Sequence, residues 1–332
     1  MLVTVLSVSG APGVTTLCLA LGATWPMGGP GRPAPRWSPP GASAAGSWSE
    51  EPAGSWSEEP AGSWSEEPAG SWSEEGSPSS DQPVPVLPAL VAECDPHGGV
   101  VAARFGLEDR RGWGGLCATV RRQGSAGVDA FVDVLPGGVH VLVGCRPGER
   151  GALRGPVRTR ACDELVAEAG RRDVIVDLGR FDPELEAGDG LLARSDRVVV
   201  LVRPDVGSLV RLCDHAGRLR SSGPDAIGVV LRGRSPYTSG AVARGTGLVV
   251  LGTVPDAPAG AGVVAGELPP RRHSFRSRYL RAVRSLAESL VGGPRRGGGT
   301  GPGRDHQLTH RSGGWRGGGG QSVSRAGGGR GA

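Results

Sequence analysis

The chain of 332 residues contains no lysine, and all 37 of its basic residues are arginine. Chemistry that needs a lysine amine is therefore excluded along the whole chain. Paired cysteines are missing as well, since the six cysteines are scattered without a CxxC motif and several lie within apolar runs. This spacing predicts small buried core residues in a reducing cytosol.

Several targeting and catalytic signals are also absent. The first ten residues, MLVTVLSVSG, have no basic region, and their apolar run is too short for a signal peptide or a membrane span. No G-x-S-x-G motif occurs, and His97, His140 and His215 do not have the spacing of zinc ligands. We therefore expect a cytoplasmic protein that is neither a serine hydrolase nor a zinc enzyme.

Glycine and proline are abundant, with 59 and 28 residues, which indicates long segments that do not pack. Within residues 26–85 the sequence GSWSEE begins at positions 46, 54, 62 and 70, and nine acidic residues stand against two arginines. The apolar density is too low to offset the entropy of ordering, so we predict a disordered insertion rich in Pro, Gly and Ser. Binding of a protein partner by the repeated tryptophans and acids is the alternative.

The C-terminal residues 292–332 are rich in glycine and arginine, which predicts a disordered basic tail. From residue 268 to the end, thirteen arginines stand against two acids. Such a segment favours weak, salt-sensitive contact with DNA phosphates, with a solvated tail as the alternative. His306 and His310 lie four residues apart there, but they lack the folded scaffold and the acidic or thiol partners of a metal site.

The remaining residues, 1–25 and 86–291, alternate β-branched runs with helical stretches. We predict strands at residues 2–8, 84–93, 139–144, 173–179, 197–204, 226–233 and 248–255. Helical spacing or helix-forming composition lies between them, at residues 15–24, 158–172, 183–195 and 206–222. This alternation predicts one α/β domain with a doubly wound, mostly parallel sheet and helices on both faces.

The stretch LSVSGAPGVTT, residues 6–16, has the pattern of a phosphate-binding loop. Such a loop needs a strand, a glycine turn that exposes backbone N–H groups, and a helix whose N-terminus faces the anion. The full motif, G-x-x-x-x-G-K-[ST], also has a lysine for the phosphates and a hydroxyl for magnesium. Gly13, Thr15 and Thr16 fit this motif, whereas Val14 stands in the place of the lysine.

This loop resembles that of the MinD/ParA family of deviant P-loop ATPases, which has the pattern K-G-G-x-G-K-[ST]-T. Ser9 and Val14 replace the two lysines of the family, and Ala11 replaces a glycine. The matching positions are Gly10, Gly13, Thr15 and Thr16.

Further stretches resemble the family in the same order. LVAECDPHGG resembles D-x-D-P-Q-G, with Glu93 for the first Asp, Asp95 in place and His97 for Gln. RDVIVDLG resembles the strand that ends in the magnesium-side carboxylate, here Asp177, and VLGTVPDAP resembles the late G-x-x-P-x-D segment. The resemblance covers nearly all of the residues that we predict to be ordered.

A set of actinobacterial MinD-like proteins is especially similar, because their loops read GSPGVTT and also lack the lysine. They share E-x-D-P-x-G-G and a Gly-Arg pair after the magnesium-side Asp, here Gly179 and Arg180. The lysine-free loop therefore resembles a sequence feature of that subfamily.

The resemblance implies a homodimer that sandwiches ATP and binds DNA, membrane or a protein partner in one state. It implies that Thr15 ligates Mg²⁺, that Asp177 holds Mg²⁺ through water, and that Asp95 positions the attacking water. The implied ATP-binding positions are Gly10, Gly13, Val14, Thr15 and Thr16.

The departures from the family concern charge and base recognition. A missing cation on the transferring phosphoryl group lowers the rate by about 10³- to 10⁵-fold, and Val14 supplies none. Backbone N–H groups and the helix dipole still predict phosphate binding at reduced affinity. Arg232 stands where the family has an adenine-side Asn.

Arg180 is a candidate for part of the lost charge, because it lies at the carboxyl end of a predicted strand, where ligands of α/β sheets collect. An exposed arginine without a role is the alternative.

The last predicted helix, SFRSRYLRAVRSLAESLV, carries an apolar stripe flanked by arginines. The stripe comprises Phe275, Tyr279, Val283, Leu286 and Leu290. Packing of the stripe on the sheet and binding of the helix to an anionic membrane are the two alternatives. Peripheral contact with a membrane or the nucleoid is therefore an option for a cytoplasmic protein.

Two functions follow from these patterns. In the first, the chain is a weak nucleotide-dependent switch that positions DNA, the septum, or a secretion or pilus machine. In the second, it is a pseudo-ATPase scaffold or adaptor that has lost the nucleotide cycle. Thr15, Thr16, Asp95 and Asp177 favour the first, and Ser9, Val14 and Arg232 favour the second.

Overall fold

Eight strands form one sheet in the order β3-β4-β2-β5-β1-β6-β7-β8. A computed structural model describes residues 1–10, 13–26, 87–107, 111–145, 155–182, 190–224, 226–269 and 274–292. The strands are β1 (Leu2–Ser7), β2 (Leu90–Glu93), β3 (Asp133–Leu135), β4 (Val139–Leu142), β5 (Val174–Arg180), β6 (Arg197–Val202), β7 (Ile227–Arg232) and β8 (Val249–Val254).

All neighbouring strands are parallel except β3 and β4, which form an antiparallel hairpin at one edge. The central strand, β1, is flanked by β5 and β6, and each of its six residues is buried. Burial on both faces explains why the central strands are nearly continuous runs of Val, Leu and Ile without regular polar alternation. β2 to β5 extend the sheet on one side of β1, and β6 to β8 extend it on the other.

Nine helices lie in the described part of the chain and cover both faces of the sheet. They are α1 (Val14–Thr24), α2 (Val101–Phe105), α3 (Gly112–Gln123), α4 (Pro156–Glu168), α5 (Leu191–Arg194), α6 (Val206–Ser222), α7 (Ser239–Thr246), α8 (Pro258–Val264) and α9 (Arg278–Gly292). One core holds side chains of α3 to α7, and the other holds α1, α2 and α9. This arrangement confirms the predicted doubly wound fold.

α1 lies between the sheet and α9 and is apolar around most of its circumference. Its buried residues are Val14, Leu17, Cys18, Leu19, Ala20, Leu21 and Thr24. A helix that is apolar all round is stable only when neighbours cover it, and here β5 and α9 do so. The packing therefore fixes the start of α1, and with it the glycine loop, above the carboxyl end of β1.

α9 packs its apolar stripe into the domain. Tyr279, Val283, Leu286 and Leu290 are all buried, while the side chain of Phe275 lies outside the described part. The packing alternative of the sequence analysis therefore holds for these four side chains. Within the described ranges no helix has both the length and the apolar character of a membrane span.

Some predicted boundaries were wrong. The strand predicted at 84–93 begins only at Leu90, and Pro88, which has no N–H for a ladder, lies before it. Of the helix predicted at 183–195, residues 183–189 lie outside the described part, and Leu191–Arg194 is helical. β3 was not predicted at all.

The described residues all fall within one compact unit, Met1–Arg295. The predicted insertion, 26–85, and the predicted tail, 292–332, lie outside the described residues apart from Pro26 and Gly292. Five of the six cysteines are buried, as their apolar surroundings predict, and Cys213 is exposed.

Candidate phosphate-binding site

The glycine loop follows β1 at the carboxyl edge of the sheet and leads directly into α1. Gly10 and Gly13 both have positive φ, 61° and 125°, whereas Ala11 and Pro12 lie outside the described residues. Gly13 has no side chain to cap α1, and its carbonyl accepts from the Leu17 N–H at 2.8 Å. The first N–H groups of α1 therefore point out of the helix end, as an anion site requires.

Val14 occupies the position of the motif's lysine, but its apolar side chain cannot supply the lysine's positive charge. Its side chain is buried and belongs to the core between α1, α9 and the sheet. Only its backbone N–H is placed to act on an anion. Thr15 and Thr16, which follow it, are half-buried at the same helix end.

Asp177 is the most unusual charged residue of the site. It lies on β5 directly beside Val5 of β1, and only 1% of it is exposed. Its Oδ1 accepts from the Gly179 N–H at 3.0 Å, whereas its buried Oδ2 has no hydrogen-bond partner among the described residues.

The pKa of Asp177 is raised from 3.8 to about 7, chiefly by burial and to a smaller extent by the negative charges of Glu93 and Asp95. The Thr15 hydroxyl and the Gly179 N–H oppose this rise in pKa because they stabilise the carboxylate. Thr15 and Asp177, which the sequence analysis assigned to magnesium, are therefore close together. The unpartnered Oδ2 is an oxygen that a cation would satisfy.

Glu93, which stands opposite Asp177 in the strand register, has a structural task. Its Oε1 accepts from the N–H groups of Val100 and Val101 at 2.6 and 3.1 Å, and its Oε2 accepts from the Gly144 N–H at 2.8 Å. The carboxylate therefore caps α2 and ties it to the end of β4. These three bonds leave Glu93 little capacity to bind a ligand.

Asp95 lies where the chain leaves β2, beside the turn that follows Asp177. Its Oδ1 accepts from the His97 N–H at 2.7 Å, and its carboxylate packs against Gly179, where a Cβ would collide with it. Gly179 has φ of 63°, so both its conformation and the contact require glycine. Asp95 is thus adjacent to the magnesium-side residues, as the water-positioning prediction requires.

Arg180 ends β5 opposite Ser7 and is exposed. A Cβ placed on Gly10 would lie 3.7 Å from Arg180 Cδ, so the stem of this side chain lies along the loop. The structure therefore brings Arg180 to the glycine loop. No other atom of Arg180 lies within 4 Å of that Cβ position.

Arg232 is a further site residue, whose place beside the glycine loop was not predicted. From the sequence, Arg232 was noted only as the residue that stands where the family has an adenine-side Asn. It ends β7, and a Cβ placed on Gly13 would lie 2.7 Å from Arg232 Nη1. Arg232 Nε donates to Asp256 Oδ1 at 2.9 Å. The signal that could have found it is its place at the carboxyl end of a strand parallel to β1.

A cleft of about 430 Å³ opens beside the start of α1. It is bounded by the loop and α1 on one side and by the segment after β8 on the other, with Gly13, Thr16, Arg203, Arg232, Asp256 and Tyr279 among its lining residues. Its volume is in the range of small-molecule sites, about 300 to 1,000 Å³.

A preformed metal cage is not found in the described part of the chain, where no three His, Cys, Asp or Glu side chains are grouped to hold an ion. Mg²⁺ does not need such a cage, because it is commonly held by one or two protein oxygens, waters and substrate phosphates. The Thr15 hydroxyl and the unpartnered Asp177 Oδ2 fit that type of site.

No family model matches the sequence, and no curated protein matches it. Solved structures do match. The septum site-determining protein MinD complexed with Mg-ADP, from Pyrococcus horikoshii OT3, is 15% identical with a TM-score of 0.54, over 88% of this chain and 96% of that chain.

Two further structures align equally well. The MinC:MinD cell division protein complex of Aquifex aeolicus gives 13% identity and a TM-score of 0.54, over 89% of this chain and 97% of that chain. The ParA family ATPase from Chlorobium tepidum TLS gives 14% identity and a TM-score of 0.54, over 86% and 98%. At these identities the likeness establishes the MinD/ParA fold.

Proposed function

We propose that the chain is a MinD/ParA-like nucleotide-binding switch that uses ATP and Mg²⁺ to position or partition a cellular component, with weak or absent hydrolysis. The observation that carries the proposal is the buried Asp177 carboxyl, whose Oδ2 has no partner among the described residues, next to Thr15 at the start of α1. An orphaned buried oxygen is costly unless a ligand satisfies it.

The loop residues divide the work of binding. The N–H groups of Gly13, Thr15 and Thr16, together with the dipole of α1, would hold the phosphates. The Thr15 hydroxyl and Asp177 would hold Mg²⁺, in part through water, and Asp95 would orient a water toward the terminal phosphate. Bound Mg²⁺ would neutralise charge on the phosphates. The MinD structure complexed with Mg-ADP supports this choice of ligand.

Slow hydrolysis follows from the missing cation. The side chain of Val14 is apolar and buried in the core, so it brings no positive charge to the phosphates. Loss of such a charge lowers the rate by about 10³- to 10⁵-fold. We therefore expect binding and release of nucleotide, rather than rapid turnover, to drive the switch. We also propose that its relatives are the actinobacterial MinD-like proteins whose loops lack the lysine.

The alternative function is a pseudo-ATPase scaffold or adaptor. It is favoured by the engagement of Glu93, in the place of the family's first Asp, with three backbone N–H groups. In this alternative the carboxylate and the loop maintain the fold, and partners recognise a constant surface.

Assembly and location are part of the proposal. We propose a homodimer that binds a protein partner, and the solved complex of MinC with MinD supports the protein partner. Weak contact with DNA or anionic membrane would come from the exposed arginines of the basic C-terminus, because the apolar stripe of α9 is already buried. The protein would be cytoplasmic, with peripheral contact to membrane or nucleoid.

The test is isothermal titration of the full chain with ATP in the presence and absence of Mg²⁺. We expect Mg²⁺-dependent binding that Thr15→Ala and Asp177→Ala weaken at least tenfold, with Asp214→Ala, an exposed acid on α6, as the control. Folding of each variant is checked by circular dichroism. Absence of binding by the wild-type chain at millimolar ATP would leave the scaffold alternative.

A further inference from the structure

Arg232 approaches the glycine loop from the side of β1 opposite to Arg180. β6 lies between β7 and β1, yet the side chain of Arg232 spans that distance and meets Gly13. A Cβ on Gly13 would lie 2.7 Å from Nη1, 3.4 Å from Cζ and 3.8 Å from Cδ of Arg232. The charged end of the side chain is therefore the part nearest to the loop.

Gly13 is the residue directly before Val14, which occupies the place of the motif's lysine. We propose that Arg232 supplies the cationic contact to the phosphates of a bound nucleotide that this lysine would otherwise make. The proposal rests on the proposed nucleotide-binding function. It assigns the positive charge that the loop lacks to a residue at the end of β7.

The orientation of Arg232 is fixed by residues after β8. Its Nε donates to Asp256 Oδ1 at 2.9 Å, with 28% of the Arg232 side chain and 58% of the Asp256 side chain exposed. An ion pair this exposed adds little stability, so its main consequence is geometric. With Nε held by Asp256, the Nη1 side of the planar guanidinium is directed at the loop.

Tyr279 of α9 lines the same cleft as Arg232. Burial raises the pKa of the Tyr279 hydroxyl, and the positive charge of Arg232 opposes that rise. Arg232 thus contacts the loop and Asp256, and it shares the cleft with α9. A side chain held in this way has less rotamer freedom to lose when a ligand binds.

The cleft of about 430 Å³ borders this position. Gly13 and Arg232 both line it, and Thr16 and Arg203 lie along its wall. A nucleotide with its phosphates on the start of α1 and its remaining part in the cleft would pass directly beside the guanidinium. A planar guanidinium matches the geometry of phosphate oxygens and stays charged at every pH of interest.

Arg180 fits the same task less well. Only Cδ of Arg180 lies within 4 Å of a Cβ built on Gly10, at 3.7 Å, so the guanidinium is not the part that approaches this glycine. Gly10 is also three residues before Gly13 and farther along the loop from the lysine position. The geometry therefore assigns the larger phosphate contact to Arg232.

The test is isothermal titration of the full chain with ATP and Mg²⁺, and with inorganic tripolyphosphate and Mg²⁺ as the base-free probe. Arg232→Ala and Arg232→Gln remove the charge, and Arg232→Lys keeps it. Arg234→Ala, an exposed arginine two residues away, is the matched control for a loss of general positive charge. Arg180→Ala measures the competing candidate, and thermal unfolding checks that each variant is folded.

We expect Arg232→Ala and Arg232→Gln to weaken ATP binding on the order of 10- to 100-fold, the range of a charged hydrogen bond. Arg232→Lys should retain most of the affinity, Arg234→Ala should match the wild type, and tripolyphosphate should show the same order of variants as ATP.

Two results would overturn the proposal while leaving the proposed function in place. One is ATP binding by Arg232→Ala equal to that of Arg234→Ala. The other is a loss confined to ATP, with tripolyphosphate unaffected, since the arginine would then contact the base. A wild-type chain that binds neither probe at millimolar concentration would remove both the proposed function and the role of Arg232.

Discussion

The buried carboxyl of Asp177 predicts a stability of the ligand-free protein that decreases with rising pH. Its pKa is raised from 3.8 to about 7, first by burial and then by the charges of Glu93 and Asp95. Between these two values the folded protein holds a proton that the unfolded chain has already lost. The free energy of unfolding therefore falls from about pH 4 to about pH 7 and levels off above that.

The magnitude follows from the size of the shift. A rise of about three pKa units at 1.36 kcal/mol each is about 4 kcal/mol. That amount is a large fraction of the 5 to 15 kcal/mol that stabilises an ordinary domain. The contribution of Asp177 should therefore make the ligand-free protein more stable in mild acid than at pH 8.

The assay is urea unfolding of the full chain and of Asp177→Asn, followed by circular dichroism from pH 4 to pH 8. Other groups titrate in both proteins, so the difference in unfolding free energy isolates Asp177. The difference, wild type minus variant, should fall by about 4 kcal/mol across this window. The buried amide of the variant adds a constant offset of about 1 to 3 kcal/mol. A difference that is flat with pH, like that of the control Asp214→Asn, would refute the reasoning.

Two further predictions concern packing around the site. Glu93→Ala removes the acceptor of three backbone N–H groups at the start of α2 and the end of β4, of which that of Val101 is buried and two are part-buried, so it should lower the unfolding free energy by about 2 kcal/mol. Unchanged stability with abolished ATP binding would contradict its structural role. Leu290→Ala should lower the unfolding free energy by about 2 to 4 kcal/mol, because the apolar stripe of α9 is packed in the core. The exposed Arg281→Ala on the same helix should change it by less than about 0.5 kcal/mol, and equal effects in urea unfolding would exclude the packed arrangement.

The central strands could be predicted because their environment leaves a strong pattern. β1, β5 and β6 are covered by helices on both faces, so their sequences are nearly continuous apolar runs. Strand ends are set by single residues instead. Pro88 delays the start of β2, and the three-residue β3 is too short to carry a periodicity.

The neighbourhood of Thr15 and Asp177 was expected from the family resemblance, and it agrees with the rule that parallel strands bring their carboxyl ends to one edge. The tasks of Glu93 and Arg232 could not be predicted. Glu93 acts on the N-terminus of α2, a five-residue helix with too little sequence to be recognised. Arg232 acts through the length of its side chain across β6 and through Asp256, which is distant in sequence.

A cation on β7 differs mechanically from a lysine on the loop. A lysine at the position of Val14 would move with the start of α1, whereas Arg232 is attached to the sheet and oriented by the segment after β8. Tyr279 of α9 lines the same cleft as Arg232. A shift of the Asp256 segment would therefore move the charge of Arg232 relative to the loop. With the proposed contact of Arg232, we therefore expect the strength of phosphate binding to depend on the segment after β8 that carries Asp256, a dependence that a lysine on the loop would not have.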